Sequence, residues 1–176
     1  MNNLKKMDKF FYLILISAII TGCGGKDQKQ ETNRVDLDSA RHNVIVAINN
    51  FNLAYLKKDW EGIKKLLSGT VHIFGIDSTA IVNSVADYEK ELNREWGQYD
   101  QLKIGSPNYL FIEMDKNAEL ASVIYQVIFV PVTKGKSIQK VIRFSNAYKK
   151  ENGEWKLVQM IMQDPLGQST ETVERK

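Results

Sequence analysis

The chain has 176 residues, 43% hydrophobic and 26% charged, with a formal charge of +3. That is the size and balance of one globular domain. Three lysines and one aspartate lie in the first 22 residues, which leaves 21 basic against 20 acidic side chains. With no basic run interleaved with aromatics, nucleic-acid binding is excluded as an expectation. A structural zinc site needs four Cys or His ligands. The chain has one cysteine, Cys23, and two histidines, His42 and His72, so none is expected within it.

Residues 1–22 read MNNLKKMDKFFYLILISAIITG. Lys5, Lys6 and Lys9 precede an apolar run from Phe10 to Ile20. That run falls short of the ~20 residues that span a bilayer. It suits the apolar region of a secretory signal. Ile20-Thr21-Gly22-Cys23 resembles the lipobox of bacterial lipoproteins. The resemblance implies that Cys23 becomes the lipidated first residue of the mature protein. The expectation is a cell-envelope protein held to a membrane by its acyl chains, a palmitate among them. Gly24 follows the cysteine where an inner-membrane retention aspartate would stand, so the outer membrane is favoured. Residues 23–36 are polar, without apolar periodicity, and read as the lipidated cysteine and a flexible tether.

From residue 37 a folded domain is expected. Asp38 is placed to cap a helix starting at Ser39. Val44, Ile48, Phe51 and Tyr55 form its apolar stripe, with Ala47 and Ala54 beside them. Asp59 caps a second, shorter helix carrying Trp60, Ile63, Leu66 and Leu67, ended by Ser68-Gly69. Val71 to Phe74 and Ala80 to Val82 read as short strands. Ser84 caps a third helix with Val85, Tyr88, Leu92 and Trp96 on one face.

Four strand-like runs follow: Leu102 to Met114, Leu120 to Val132, Ser137 to Lys149 and Glu154 to Gln163. Asp115-Lys116-Asn117, Lys134-Gly135-Lys136 and Asn152-Gly153 separate them. Asn-Gly is the strongest short hairpin signal. Pro107 marks a bulge or an edge. Residues 166–176 read as a frayed tail.

The pieces FNLAYLKKDWEGIKKLLS, VHIFGID and VIRFSNAYKKENGEWKLVQMIMQDP, in this order, resemble the SnoaL-like family of the nuclear-transport-factor-2-like superfamily. The likeness covers roughly residues 38–165. It implies an α+β fold in which a bent antiparallel sheet wraps three helices into a cone with a pocket at its open end. Family members include cyclases, isomerases, dehydratases, hydrolases and domains without activity, so the fold does not name the function. No cofactor is expected.

Many SnoaL-like sequences place two histidines and a serine on the last strand, facing the cone. The matching positions here are Gln159, Ile161 and Gln163. Glutamine hydrogen-bonds but does not titrate, so this face is expected to recognise a ligand rather than move protons. Arg143 is a candidate for an anionic ligand group. Trp96, Tyr125 and Phe129 are candidate aromatic walls. His72 and Asp77 are the weak candidates for an acid or base. Val158, Met160 and Met162 are expected on the convex side of the last strand, in a homodimer interface. The leading expectation is non-catalytic binding of a small apolar or amphipathic molecule, or of a protein partner. The alternatives are an isomerase-, cyclase- or hydrolase-type enzyme, and a dimeric assembly module whose cone is filled by side chains.

Overall fold

In the computed structural model, residues 36–76, 80–165 and 170–172 are described. The expected signal, the tether with Cys23, and Asp77 lie outside them. Helix α1 spans Leu37–Leu56. Its cap is Asp36, two residues before the expected one: the Asp36 carboxylate accepts from the amides of Asp38 and Ser39, at 3.1 Å each. Asp38 lies in the first turn instead, where its charge favours the helix dipole. The predicted stripe is buried, with Val44 and Ile48 fully enclosed. Burying side chains of that size stabilises by roughly 1.5–3 kcal/mol each.

Lys58 turns the chain with a φ of 55°, and Asp59 caps α2, Trp60–Lys64, by accepting from the Gly62 amide at 2.9 Å. The helix stops earlier than its apolar residues suggested. Leu67 and Ser68 already belong to strand β1, Leu67–Phe74, where both are buried. The Ser68 hydroxyl donates to Glu151 at 2.9 Å, tying the strand start to the sheet. Strand β2 is Ile81–Val82 and helix α3 is Val85–Trp96. The α3 cap is Ser84, which accepts from the Asp87 amide at 3.1 Å. Tyr88, Leu92 and Trp96 are its buried face.

The remaining strands are β3 (Gln101–Ile104), β4 (Asn108–Met114), β5 (Leu120–Thr133), β6 (Lys136–Glu151), β7 (Glu154–Gln163) and β8 (Thr170–Thr172). The run through Pro107 is two strands rather than one. A proline cannot donate to a ladder, and the chain leaves the sheet between Ile104 and Asn108. Both pieces then pair with the long β5. The two tight hairpins have positive φ at both turn residues: Lys134 and Gly135 (51° and 76°), and Asn152 and Gly153 (52° and 84°). That geometry matches the twist of paired strands. Within the stretch expected to fray, Thr170–Thr172 pairs with Ser137–Gln139 of β6.

The sheet order is β2-β1-β7-β6-β5-β3, with β4 also on β5 and β8 on β6. It is mixed rather than wholly antiparallel, because β1 runs parallel to β7. The first and last long strands thus become neighbours. The concave side and the helices enclose one continuous hydrophobic core.

One irregularity decides which side chains face that core. In β7, Trp155 and Leu157 point inward, and so do Met160 and Met162. Strict alternation would have continued with Gln159. The register against β6 moves from Tyr148↔Leu157 to Ala147↔Gln159, leaving Val158 as an extra residue. Such a bulge switches every later side chain to the other face. Met160 is 1% exposed, whereas Gln159 and Gln163 are exposed on the convex side with half-buried Ile161 between them. The two faces expected of this strand are therefore exchanged beyond Leu157.

Candidate functional site

A cavity of about 280 Å³ opens between the helices and the concave sheet. Its apolar wall includes Phe51, Val127, Phe129, Ile142, Phe144, Met160 and Met162. These come from α1, β5, β6 and β7, whose inward positions follow from the alternation and the bulge. The aromatic residues pack edge to face near the polar end, with Tyr55 5.8 Å from Trp96 and 5.7 Å from Phe129 between centroids.

Three polar groups meet at that end. The Tyr55 hydroxyl lies 2.9 Å from the Tyr99 hydroxyl, and the Glu95 carboxyl is close enough to interact with it electrostatically. Both tyrosines are buried. Tyr55 ends the apolar stripe of α1. Glu95 stands on α3 three residues after Leu92, and Tyr99 four residues further on, just past the helix. The Lys58 ammonium donates to the Trp96 carbonyl at 2.7 Å and sits 5.4 Å over the Tyr99 ring. That contact fixes the α1–α2 corner to the end of α3 and so fixes Tyr55 against Glu95.

Electrostatics follow from the enclosure. Burial raises the Glu95 carboxyl above its usual range, against the lowering effects of the nearby Tyr55 and Arg94, while Glu91 adds to the rise. Tyr99 is pushed up to about 12, mainly by burial. Tyr55 is raised further, by burial first and then by the charge of Glu95. Both tyrosines therefore stay protonated, and Glu95 is the group at this end whose proton changes with pH. Lys140 and Gln98 also line the cavity. Asn52, another lining residue, has a buried amide nitrogen without a hydrogen-bond partner among the described residues.

The residues singled out in the sequence are distributed differently. Phe129 lines the cavity. Trp96 is buried behind the tyrosines and does not line it. Tyr125 is deeper in the core, stacked on Phe144 at 4.9 Å, and its hydroxyl accepts from Asn146 at 3.4 Å. The same Asn146 nitrogen donates to Tyr148 at 3.1 Å. Arg143 lies on the convex face, where its Nε and Nη2 donate to the Gln126 amide oxygen at 3.1 and 2.8 Å. His72 is exposed on the same convex side but two strands away on β1, paired with Gln159 in register and 3.1 Å from the Asn83 side chain. Neither reaches the cavity. Gln159, Ile161 and Gln163 are on the convex face, and Met160 and Met162 line the cavity in their place.

Sequence reasoning passed over Tyr55, Glu95 and Tyr99 as a set. A signal was present: Tyr88, Leu92, Glu95 and Tyr99 recur at spacings of four, three and four. A carboxylate on the apolar stripe of a helix needs a reason to be there. Among the described residues no group of three His, Cys, Asp or Glu side chains is placed to hold a metal ion. None of the described helices is long and apolar enough to cross a membrane.

No family model matches the sequence, and no curated protein does. Solved structures do match. A hexachlorocyclohexane dehydrochlorinase, LinA type 2, superposes with a TM-score of 0.68 at 16% identity, covering 80% of this chain and 95% of that one. LinA type 3 from Novosphingobium barchaimii LL02 gives 0.68 at 14% identity, with 80% and 96% covered. An NTF2-like protein of unknown function from Pseudomonas putida KT2440 gives 0.60 at 12% identity, with 79% and 97% covered. Identities this low speak to architecture alone. The chain has the nuclear-transport-factor-2-like α+β fold.

Proposed function

We propose that this protein is a lipid-anchored component of a bacterial cell envelope whose single domain binds a small, predominantly apolar molecule inside the cone. The observation that carries the binding reading is the open cavity itself, walled largely by apolar side chains such as Phe51, Phe129, Phe144 and Met160, with a few polar groups among them. Concave, mostly apolar pockets with a few convergent polar groups are the usual form of ligand sites. An open cavity also weighs against an assembly module with a filled cone. The anchoring part rests on the Ile20-Thr21-Gly22-Cys23 pattern and the apolar run before it.

Catalysis by His72 has lost its geometric support, because the imidazole is on the opposite side of the sheet from the cavity. A second reading, favoured by Glu95 alone, makes that carboxyl a proton donor or acceptor in an elimination or isomerisation. The neighbours named dehydrochlorinases make an elimination the reaction to assay first. The homodimer, if it uses the convex face, would use a row formed by Phe74, Ile161, Ser145, Ile124 and Phe111, consecutive in register across five strands. It would not use Met160 or Met162.

Native mass spectrometry on a fragment from Asp36 to Lys176, purified without lipid, tests the binding and dimer readings together. A dimer carrying a discrete small-molecule mass is expected. A monomer argues against the convex-face dimer. A protein that never acquires mass from envelope extracts or from added apolar compounds contradicts the binding function.

A further inference from the structure

We propose that the cone takes an amphiphile whose head is a single carboxylate and whose apolar body is about two rings in size, and that the Lys140 ammonium holds that head. This rests on the binding function proposed above and specifies its ligand class.

A lysine at this position breaks the pattern of its strand. Ile104, Phe129 and Lys140 are consecutive in register across β3, β5 and β6. All three line the cavity. Along β6, Lys140 is followed at two-residue steps by Ile142, Phe144 and Asn146, all buried. Alternation therefore directs Lys140 to the same concave face. It is half-buried, so its stem covers apolar wall while its ammonium keeps access to water. A cation bordering an apolar cavity attracts an anion more strongly than one in open water, because the wall lowers the local dielectric. The described residues supply no such anion: Lys140 makes no ion pair or hydrogen bond with any of them. Glu95 also lines the cavity, but burial holds its carboxyl toward the neutral form, so it opposes an anion less than an ordinary carboxylate does.

The head must be an acceptor with one charge. An ammonium only donates. On the helix side of the same cavity, the buried Asn52 amide nitrogen also lacks an acceptor among the described residues. A carboxylate only accepts, and it has two oxygens to offer. One ammonium balances one negative charge. The second charge of a phosphate monoester would be desolvated without compensation. Size sets the body. An apolar cavity of about 150 Å³ binds benzene. The present 280 Å³ admits about two fused rings, and Phe51, Phe129 and Phe144 supply flat walls.

The test is equilibrium dialysis of the full chain in phosphatidylcholine nanodiscs, with empty nanodiscs as reference. The probes are 2-naphthoate and 2-naphthamide, matched in shape and different in charge. A third probe, 1-tetralone, is neutral and also two-ringed, and reports on the cavity without a charged head. At about pH 7 the naphthoate is ionised. It should bind about tenfold more tightly than the naphthamide, the difference between a charged and a neutral hydrogen bond. Lys140→Met keeps an apolar stem and removes the charge. It should lose the preference while binding the naphthamide as before, which also shows that the variant is folded. Lys140→Arg should keep the preference. Equal binding of naphthoate and naphthamide by the unaltered protein, or tighter binding of the naphthamide, overturns the anionic head but leaves a ligand-binding cavity standing. A preference that survives Lys140→Met overturns the role of Lys140. Binding of 1-tetralone alone overturns this proposal only. Binding of none of the three overturns the binding function with it.

Discussion

Replacing Met160 with alanine tests the bulge that sets the inner face of β7. Met160 is 1% exposed, and the substitution removes its Cγ, Sδ and Cε atoms from the core. Met→Ala in a core costs about 2–5 kcal/mol, rising with the void left behind. Here the side chain already borders an open cavity, so little new sealed void forms and the lower part of that range applies, about 2–3 kcal/mol. Gln159→Ala is the partner experiment. That side chain is exposed on the convex face and should shift stability by less than about 0.5 kcal/mol. Urea unfolding of the Asp36–Lys176 fragment, followed by circular dichroism, reads both. With an m-value of roughly 1.5 kcal/mol/M, Met160→Ala should lower the midpoint by about 1.5 M at unchanged slope. If Gln159→Ala is the costly change and Met160→Ala the silent one, the strand has no phase switch at Val158 and the description of the cavity wall fails.

Three further outcomes follow from the geometry. Glu95 has a folded-state pKa raised by burial, so the folded state holds its proton more tightly than the unfolded state. This contribution is undiminished below the unfolded value and is lost as pH rises from there through the folded pKa. Glu95→Gln should therefore gain stability relative to the unaltered protein as pH rises over that window, and parallel pH profiles would refute the assignment. Asn146→Ala should cost about 1–3 kcal/mol in urea unfolding, because it takes the partner from two buried tyrosine hydroxyls, Tyr125 and Tyr148; a loss below about 0.5 kcal/mol would mean those bonds are not made. Cys23→Ala should abolish incorporation of radiolabelled palmitate and release the protein from membranes; full membrane association of the variant would refute lipid anchoring.

The helices were legible because their stripes obey a single period: Val44, Ile48, Phe51 and Tyr55 are buried as their spacing requires. The caps Asp59 and Ser84 were legible for the same local reason. At the start of α1 two aspartates compete, and Asp36 wins because its carboxylate reaches two free amides. The bulge was not legible. Val158, Met160, Ile161 and Met162 put apolar residues on both faces of β7, so either phase satisfies the pattern. The choice is made by the pairing with β6 across the hairpin and with β1, a strand distant in sequence. The site was illegible for a related reason. Tyr55 read as the last residue of an apolar helix stripe, and Glu95 and Tyr99 were not singled out. Only the packing of α1 against the end of α3, held by the Lys58 contact to Trp96, brings them together at the cavity.

The claim that the cone holds a ligand is tested most directly by the methionines. With ¹³C-methyl methionine in the Asp36–Lys176 fragment, three signals are present, from Met114, Met160 and Met162. Met160 and Met162 line the cavity, and Met114, at the end of β4, does not. On titration with 1-tetralone, the Met160 and Met162 methyls should shift together and saturate while Met114 stays in place. Three unmoved signals, or three that drift equally without saturation, would contradict a ligand site in this cone.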